Sequence, residues 1–155
     1  MITMRVLGVD FGQRRIGLAL SDASATLASP WKTVAAGHTP LASAAMVAAL
    51  VEALTDEDVQ QIIVGIPRRL NGEETDQTRP AREFAAALRQ AAGLPVVEQD
   101  ERLSSHEAEQ RLAVRERDWR RRKEKLDAAA AAVILQDYLD HAGEQASRRA
   151  GEGGE

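Results

Sequence analysis

Residues Arg5 to Leu20, RVLGVDFGQRRIGLAL, contain two apolar segments joined by a short polar one. Val6 to Val9 form the first apolar segment, Ile16 to Leu20 form the second, and Gly12 to Arg15 lie between them. Apolar runs of strand length on either side of a glycine-containing polar turn are typical of a β-hairpin. We therefore expect the chain to begin with a hairpin, and we place the other elements relative to it.

Asp10 is the unusual residue of this hairpin, because it interrupts an apolar strand. A carboxylate is costly to bury unless it is paired or holds a metal ion. Gly8 and Gly12 remove side-chain bulk on either side of Asp10, which lets a ligand or another backbone approach closely. The alternative is that Asp10 simply initiates the turn, since aspartate shortly before glycine is common at ordinary turns.

The length and composition indicate one domain with an aliphatic core. The 155 residues include only 3% aromatic residues and no cysteine. The lack of cysteine excludes disulfides, thiolate metal sites and a cysteine nucleophile. No apolar run approaches the roughly 20 residues that span a bilayer, and the N-terminus lacks a signal-peptide pattern. We expect a soluble, cytoplasmic protein without a membrane partner.

The segments after the hairpin alternate between helix and strand patterns. We predict strands over 28–34, 61–66 and from 95 onward, and helices over 41–54, 79–92, 104–114 and 126–139. Pro30 should place its strand at a sheet edge or a bulge. This order predicts an α/β fold with a mixed five-stranded sheet flanked by helices, in one domain over 1–140. Residues 141–155 are polar and glycine-rich, so we expect a disordered tail.

Acidic residues occur at three places where the pattern favours apolar ones. They are Asp10, the pair Asp100 and Glu101 at the end of the last strand, and Asp127 near the start of the last helix. Each has an ordinary alternative: a turn, a solvated strand end, and a carboxylate that the helix dipole stabilises in the first turn. Together, several carboxylates without thiolates favour hard cations such as Mg²⁺ or Mn²⁺. Two such ions can promote phosphodiester cleavage.

Five segments taken together resemble the YqgF/RuvX family, Holliday-junction-resolvase-like proteins of the RNase H-like superfamily. The segments are VDFGQRRIGLA, IIVGIP, the Asn71-Gly72 turn, DERLSS and KLDAAAAAVILQDYL. The resemblance covers about Val6 to Leu139 and implies an RNase H-like fold. It further implies a metal-dependent nuclease that matures the precursor of small-subunit ribosomal RNA, with resolvase activity on branched DNA as an alternative.

The same resemblance implies roles for single residues. Asp10, Glu101 and Asp127 fall on the family's acidic positions, so we expect them to be catalytic and to bind the metal, with Asp100 as a neighbouring ligand. Arg102 would hold phosphate or pair with a carboxylate. Arg14 and Arg15, in the turn beside Asp10, are candidates for contacts with the nucleic-acid backbone.

The segment 115–125, RERDWRRRKEK, concentrates positive charge in a chain whose formal net charge is -4. Such local segregation is what a nucleic-acid contact would need here, because Lys and Arg neutralise phosphates. The candidates in this segment are Arg120, Arg121, Arg122 and Lys123. The alternative is a solvated linker. His106 and His141 are isolated and are expected to be surface residues.

Three functional classes remain open from the sequence. The first is the metal-dependent nuclease, a monomer or homodimer that acts on structured RNA, on ribosomal precursor particles or on branched DNA. The second is an ATPase of the actin-like and sugar-kinase type, whose phosphate-binding hairpin resembles this one but which needs a second lobe. The third is a non-catalytic nucleic-acid-binding module that keeps the fold.

Overall fold

The computed structural model describes residues 4–54, 59–101 and 119–152, with side chains of the last helix described over 125–143. The strands are β1 (Arg5–Phe11), β2 (Arg15–Ser21), β3 (Ala28–Ala35), β4 (Val59–Ile66) and β5 (Val96–Asp100). The helices are α1 (Pro40–Ala53), α2 (Thr78–Ala92) and α3 (Trp119–Glu152). Among the described residues, no helix is both long enough and apolar enough to cross a membrane.

One five-stranded sheet, in the order β3-β2-β1-β4-β5, organises the fold. β1 and β2 pair antiparallel, with Leu7 opposite Leu20 and Phe11 opposite Ile16. β3 continues the antiparallel side, whereas β4 and β5 run parallel to β1. The predicted hairpin and the predicted mixed sheet are therefore both confirmed.

Pro30 lies where its missing N–H costs least. β3 is an edge strand, and its register with β2 shifts between Leu18 and Ala19, where Pro30 pairs with Ala19. Proline cannot donate to a ladder, so it is found on edges and at bulges. Both features predicted from Pro30 are present.

Helices cover both faces of the sheet, which explains why β4 is apolar without alternation. Helices α1 and α2 cover one face, where Leu7, Val9 and Phe84 lie in a shared core. Helix α3 covers the other face, where Ile63 packs with Ile134 and Leu135. A strand buried on both faces reads as a continuous apolar run.

Local signals set the ends of the first two helices. Thr39 caps α1 by accepting a hydrogen bond from the N–H of Ala42 (3.1 Å), and Pro40 occupies the first turn. Gly93 ends α2 in the left-handed conformation, at φ 66°. These ends agree with the sequence prediction.

Helix α3 is longer than predicted in both directions. It begins at Trp119 rather than near 126, and it continues to Glu152, where a disordered tail over 141–155 was expected. The added residues are mostly Ala, Glu, Gln and Arg, which favour helix, and extending an existing helix needs no new nucleation. The helix predicted over 104–114 lies outside the described residues.

Candidate functional site at the carboxyl ends of β1 and β5

Asp10 lies near the carboxyl end of the central strand β1, on the face of the sheet that α3 covers. Alternation along β1 sends Leu7, Val9 and Phe11 to the α1–α2 face and therefore sends Asp10 to the α3 face. Gly17 pairs with Asp10 across the hairpin. On the other side, Val9 pairs with Val64, and continuing that register by one residue places Gly65 beside Asp10. Asp10 is therefore flanked by two residues without side chains.

The space left by Gly65 is occupied by Glu101. A Cβ added at Gly65 would lie 2.7 Å from Oε2 of Glu101 and 2.5 Å from Cδ1 of Ile134. Glu101 follows β5 directly, and its N–H donates to the carbonyl of Ile66 (3.2 Å). This hydrogen bond, at the end of the β4–β5 pairing, fixes the backbone of Glu101. The Glu101 carboxylate therefore lies over Gly65 and close to Asp10.

The space left by Gly17 is occupied by the backbone of α3. A Cβ at Gly17 would overlap the carbonyl oxygen of Asp127, and a Cβ at Gly8 would lie 3.0 Å from the carbonyl oxygen of Ala131. Because these two glycines allow α3 to lie directly on the hairpin, Asp127 comes near Asp10 at the carboxyl end of β1. The predicted close approach of another backbone at Gly8 is confirmed.

The ordinary explanation of Asp127 as a first-turn helix charge is wrong. α3 begins at Trp119, so Asp127 lies in the third turn, beyond the range where the helix dipole acts on a side chain. Its side chain instead meets Arg15, with the Arg15 Nε and Asp127 Oδ2 atoms 3.0 Å apart.

The carboxyl groups of Asp10 and Glu101 are close enough to hydrogen-bond to each other, and both have raised pKa values. Burial raises the pKa of Asp10 to about 6, and the charge of nearby Asp127 adds to this. The hydrogen bond from Glu101 opposes the rise. Burial raises the pKa of Glu101 to about 9, with further contributions from Asp10 and from the charge of Asp100. Near neutral pH the pair therefore holds about one proton.

This cluster fits a hard divalent cation. Its donors are all carboxylate oxygens, which Mg²⁺ and Mn²⁺ prefer. Oε2 of Glu101 is buried, and no backbone or side-chain N–H of the described residues reaches it. In the described part of the chain, no three acidic or histidine side chains already surround a common cation position. The raised pKa values favour a proton on the Asp10–Glu101 pair, and Arg15 pairs with Asp127. A bound cation would take the place of this proton and of the Arg15 charge.

The structure separates Asp100 from Glu101. Val96 and Glu98 face the α2 side of the sheet, where Glu98 lies 3.8 Å from Arg82. Asp100 follows the same alternation and is exposed on that side, opposite to Glu101. The structure thus places Asp100 on the opposite face from the carboxylate cluster, and the charge of Asp100 still raises the pKa of Glu101.

The predicted basic residues divide into three groups. Arg14 and Arg15 lie in the β1–β2 turn region beside the cluster and line a common cavity. Arg102 lies outside the described residues. The third group, whose side chains the structure does not describe, lies on the first turns of α3: Arg120, Arg121, Arg122 and Lys123.

Sequence reasoning missed the two glycines that make room for the cluster. Gly17 and Gly65 both stand inside apolar strand patterns, and a glycine in a strand interior often marks a close approach. That signal was available in RIGLA and IIVGI. The pairing of Arg15 with Asp127 had no signal in the sequence, because the two residues are 112 positions apart (127 minus 15).

Comparison with known proteins identifies the family of this chain. Residues 4–141 match the RuvX family, which is described as Holliday junction resolvase. The chain belongs to the RuvX family. This confirms the family resemblance of the five sequence segments.

Curated relatives of this RuvX protein carry a more specific name. A protein of Maridesulfovibrio salexigens is 41% identical over 139 residues, covering 90% of this chain and 100% of the relative, and is named "Putative pre-16S rRNA nuclease". A protein of the same name from Anaeromyxobacter dehalogenans is 44% identical over 137 residues, covering 88% of this chain and 97% of the relative. These relatives and the family confirm the predicted class of enzyme, a nuclease.

Solved structures confirm the fold of the RuvX chain. Thermus thermophilus RuvC in complex with a Holliday junction substrate aligns with a TM-score of 0.51 and 17% identity, over 90% of this chain and 96% of RuvC. The fowlpox virus Holliday junction resolvase aligns with a TM-score of 0.50 and 12% identity, over 90% and 99% of the two chains. At these identities the likeness concerns the fold alone, and it agrees with the predicted RNase H-like sheet.

Proposed function

We propose that this RuvX protein is a divalent-metal-dependent nuclease that cleaves the precursor of small-subunit ribosomal RNA. Asp10, Glu101 and Asp127 would be the metal ligands and the catalytic carboxylates. The observation that supports the proposal is the buried contact between the carboxyl groups of Asp10 and Glu101, with the charge of Asp127 near enough to raise the pKa of Asp10.

The bound cation would supply the chemistry that carboxylates alone lack: it lowers the pKa of a coordinated water and stabilises the charge that develops on the leaving oxygen. Mg²⁺ or Mn²⁺ is the proposed ion, because the donor set is entirely oxygen. The chain contributes a fixed arrangement of charge. Asp10 is held between Gly17 and Gly65, and Glu101 is directed at it by the β4–β5 pairing.

Proton balance is part of this proposal. Near neutral pH the Asp10–Glu101 pair retains about one proton. The pair must release this proton before both carboxylates can bind a cation as anions. Cation binding and cleavage should therefore both strengthen as the pH rises through the neutral range.

The relatives at 41% and 44% identity favour RNA as the substrate, because both are named for the 16S precursor. The family description favours branched DNA instead, so a Holliday junction is the second candidate substrate. The basic first turns of α3 and the pair Arg14 and Arg15 would contact the phosphate backbone in either case.

A ribosomal substrate also has consequences for location and partners. It would place the protein in the cytoplasm, in contact with ribosomal precursor particles, as expected from the sequence. A monomer or a homodimer would serve equally, since the three carboxylates all come from one chain.

The test is a cleavage panel of single-stranded RNA, fragments of the ribosomal precursor and four-way DNA junctions, with and without Mn²⁺. We expect Mn²⁺-dependent cleavage of the precursor fragment. Asp10→Asn should reduce it by at least about 100-fold, since even residues that only support a metal ligand cost 10- to 100-fold. Asp76→Asn, which neutralises an exposed acid outside the cluster, is the matched control.

Two results would count against the proposal. Cleavage by Asp10→Asn at the wild-type rate would remove the metal site from the mechanism. Nucleic-acid binding without any cleavage, by wild-type protein in Mn²⁺, would favour the non-catalytic binding module.

A further inference from the structure

Arg15 has a contact that a residue serving only as a phosphate anchor would not need. Its Nε lies 3.0 Å from Oδ2 of Asp127, one of the three converging carboxylates. At this distance the guanidinium of Arg15 and the carboxylate of Asp127 form an ion pair. Arg15 therefore places a positive charge at the carboxylate that a cation would occupy.

The Arg15 side chain also borders open space. An open cavity of about 300 Å³ lies beside the ion pair, lined by Gly12, Gln13, Arg14, Arg15, Gln77 and Asp127. The side chains of Arg15 and Asp127 are 33% and 26% exposed, so Arg15 can change rotamer without disturbing the buried core. The guanidinium can thus reach either Asp127 or a group bound in the cavity.

We infer that Arg15 is a placeholder for the divalent cation. It neutralises Asp127 while the site holds no cation, and it turns to a substrate phosphate in the adjacent cavity once Asp127 binds the cation. This inference rests on the proposed function. It follows from the contact and the cavity together: a carboxylate oxygen that coordinates a cation no longer holds the arginine in place, and a guanidinium binds phosphate well through paired N–H groups.

Arg14 offers a matched comparison for this role. It carries the same charge, is adjacent in sequence and lines the same cavity, but the ion pair with Asp127 is made by Arg15. A general electrostatic effect of positive charge near the cluster should appear for both arginines. A placeholder effect should appear for Arg15 alone.

The experiment measures two affinities for four proteins: wild type, Arg15→Gln, Arg14→Gln and Arg15→Lys. Mn²⁺ affinity is measured by calorimetry at physiological ionic strength, where charges more than about 8 Å apart are largely screened. Affinity for a short single-stranded RNA is measured in Ca²⁺, under conditions where no cleavage is detected. Circular dichroism establishes that each variant is folded.

The two affinities should change in opposite directions for Arg15→Gln. We expect Mn²⁺ to bind about two- to fivefold more tightly, because the competing ion pair is lost, as the energies of exposed ion pairs suggest. RNA should bind more weakly. Arg14→Gln should weaken RNA binding and leave Mn²⁺ affinity unchanged. Arg15→Lys should keep the wild-type Mn²⁺ affinity but bind RNA more weakly, because lysine cannot form paired N–H contacts.

Three outcomes would overturn the inference. Weaker or unchanged Mn²⁺ binding in Arg15→Gln would show that Arg15 organises the site or has no part in it. Equal tightening in Arg14→Gln would show a general charge effect. Wild-type RNA affinity in Arg15→Lys would remove the phosphate contact, and this variant serves even if Arg15→Gln does not fold. If wild-type protein binds no Mn²⁺, the proposed function itself fails.

Discussion

Replacing Glu101 with glutamine should stabilise the cation-free protein while removing its function. The Glu101 carboxyl is buried beside Asp10, and its pKa rises from 4.5 to about 9 on folding. A raised pKa means that the folded state binds the proton more tightly than the unfolded state. The stability that this proton confers is complete below about pH 4.5 and is lost as the pH rises toward 9. Glutamine has no proton to lose and keeps a similar shape.

The size of the effect follows from the proton linkage. A group protonated only in the folded state lowers the free energy of unfolding by about 1.4 kcal/mol for each pH unit. Between about pH 5 and about pH 7, the free energy of unfolding of the wild-type protein should therefore fall by about 3 kcal/mol because of Glu101. The Glu101→Gln variant should not show this decrease. Asp10 acts in the same direction below about pH 6, since its pKa is raised to about 6.

The assay is urea unfolding of both proteins in EDTA, at about pH 5 and about pH 7, with Glu98→Gln as the control. Glu98 lies in β5, three residues before Glu101, and is exposed on the opposite face of the sheet. The difference in unfolding free energy between Glu101→Gln and wild type should grow by about 3 kcal/mol over this range, and that of Glu98→Gln should stay nearly constant. Equal pH dependence in all three proteins would refute the assignment of Glu101 to a buried, protonated site.

Two further predictions concern packing and nucleic-acid binding. Gly17→Ala should lower the free energy of unfolding by about 2 kcal/mol or more, because the added methyl group overlaps the backbone of α3 at Asp127. The control is Gly143→Ala, whose added methyl group meets nothing within 4 Å and should stabilise the helix by about 0.5–1 kcal/mol. Thermal unfolding compares the two variants. Equal effects would contradict the packing at Gly17. Neutralising Arg120, Arg121 and Arg122 together should weaken RNA binding. The slope of log affinity against log salt concentration should become shallower by about 0.7 for each phosphate contact that is lost, which filter binding at several salt concentrations measures. An unchanged slope would show that this part of α3 is only a solvated face.

The sheet could be predicted from sequence because its signals are local. The hairpin, the buried apolar run of β4 and the position of Pro30 each depend on residues within a few positions of one another. The length of α3 could not be predicted in the same way. Its first turns are highly charged and its last turns contain two glycines, so neither end shows the apolar periodicity that marks a packed helix.

The candidate acids stood out locally in the sequence, but their arrangement did not. Asp10, the pair Asp100 and Glu101, and Asp127 each interrupt an apolar pattern, and the family resemblance then selected Asp10, Glu101 and Asp127. Whether Asp100 or Glu101 joins Asp10 depends on which face of β5 each residue occupies, and that follows from the pairing of β5 with β4. The ion pair between Arg15 and Asp127 depends on how α3 lies across the hairpin, which only the three-dimensional structure provides.

A calorimetric titration of wild type and Asp10→Asn with Mn²⁺, at about pH 7 in two buffers of different ionisation enthalpy, tests the metal site most directly. The carboxylate cluster predicts saturable binding to wild type with release of about one proton for each binding event, from the Asp10–Glu101 pair. It predicts that Asp10→Asn loses this binding. Equal binding by both proteins, or no saturable binding to either, would contradict a cation site built on Asp10, Glu101 and Asp127.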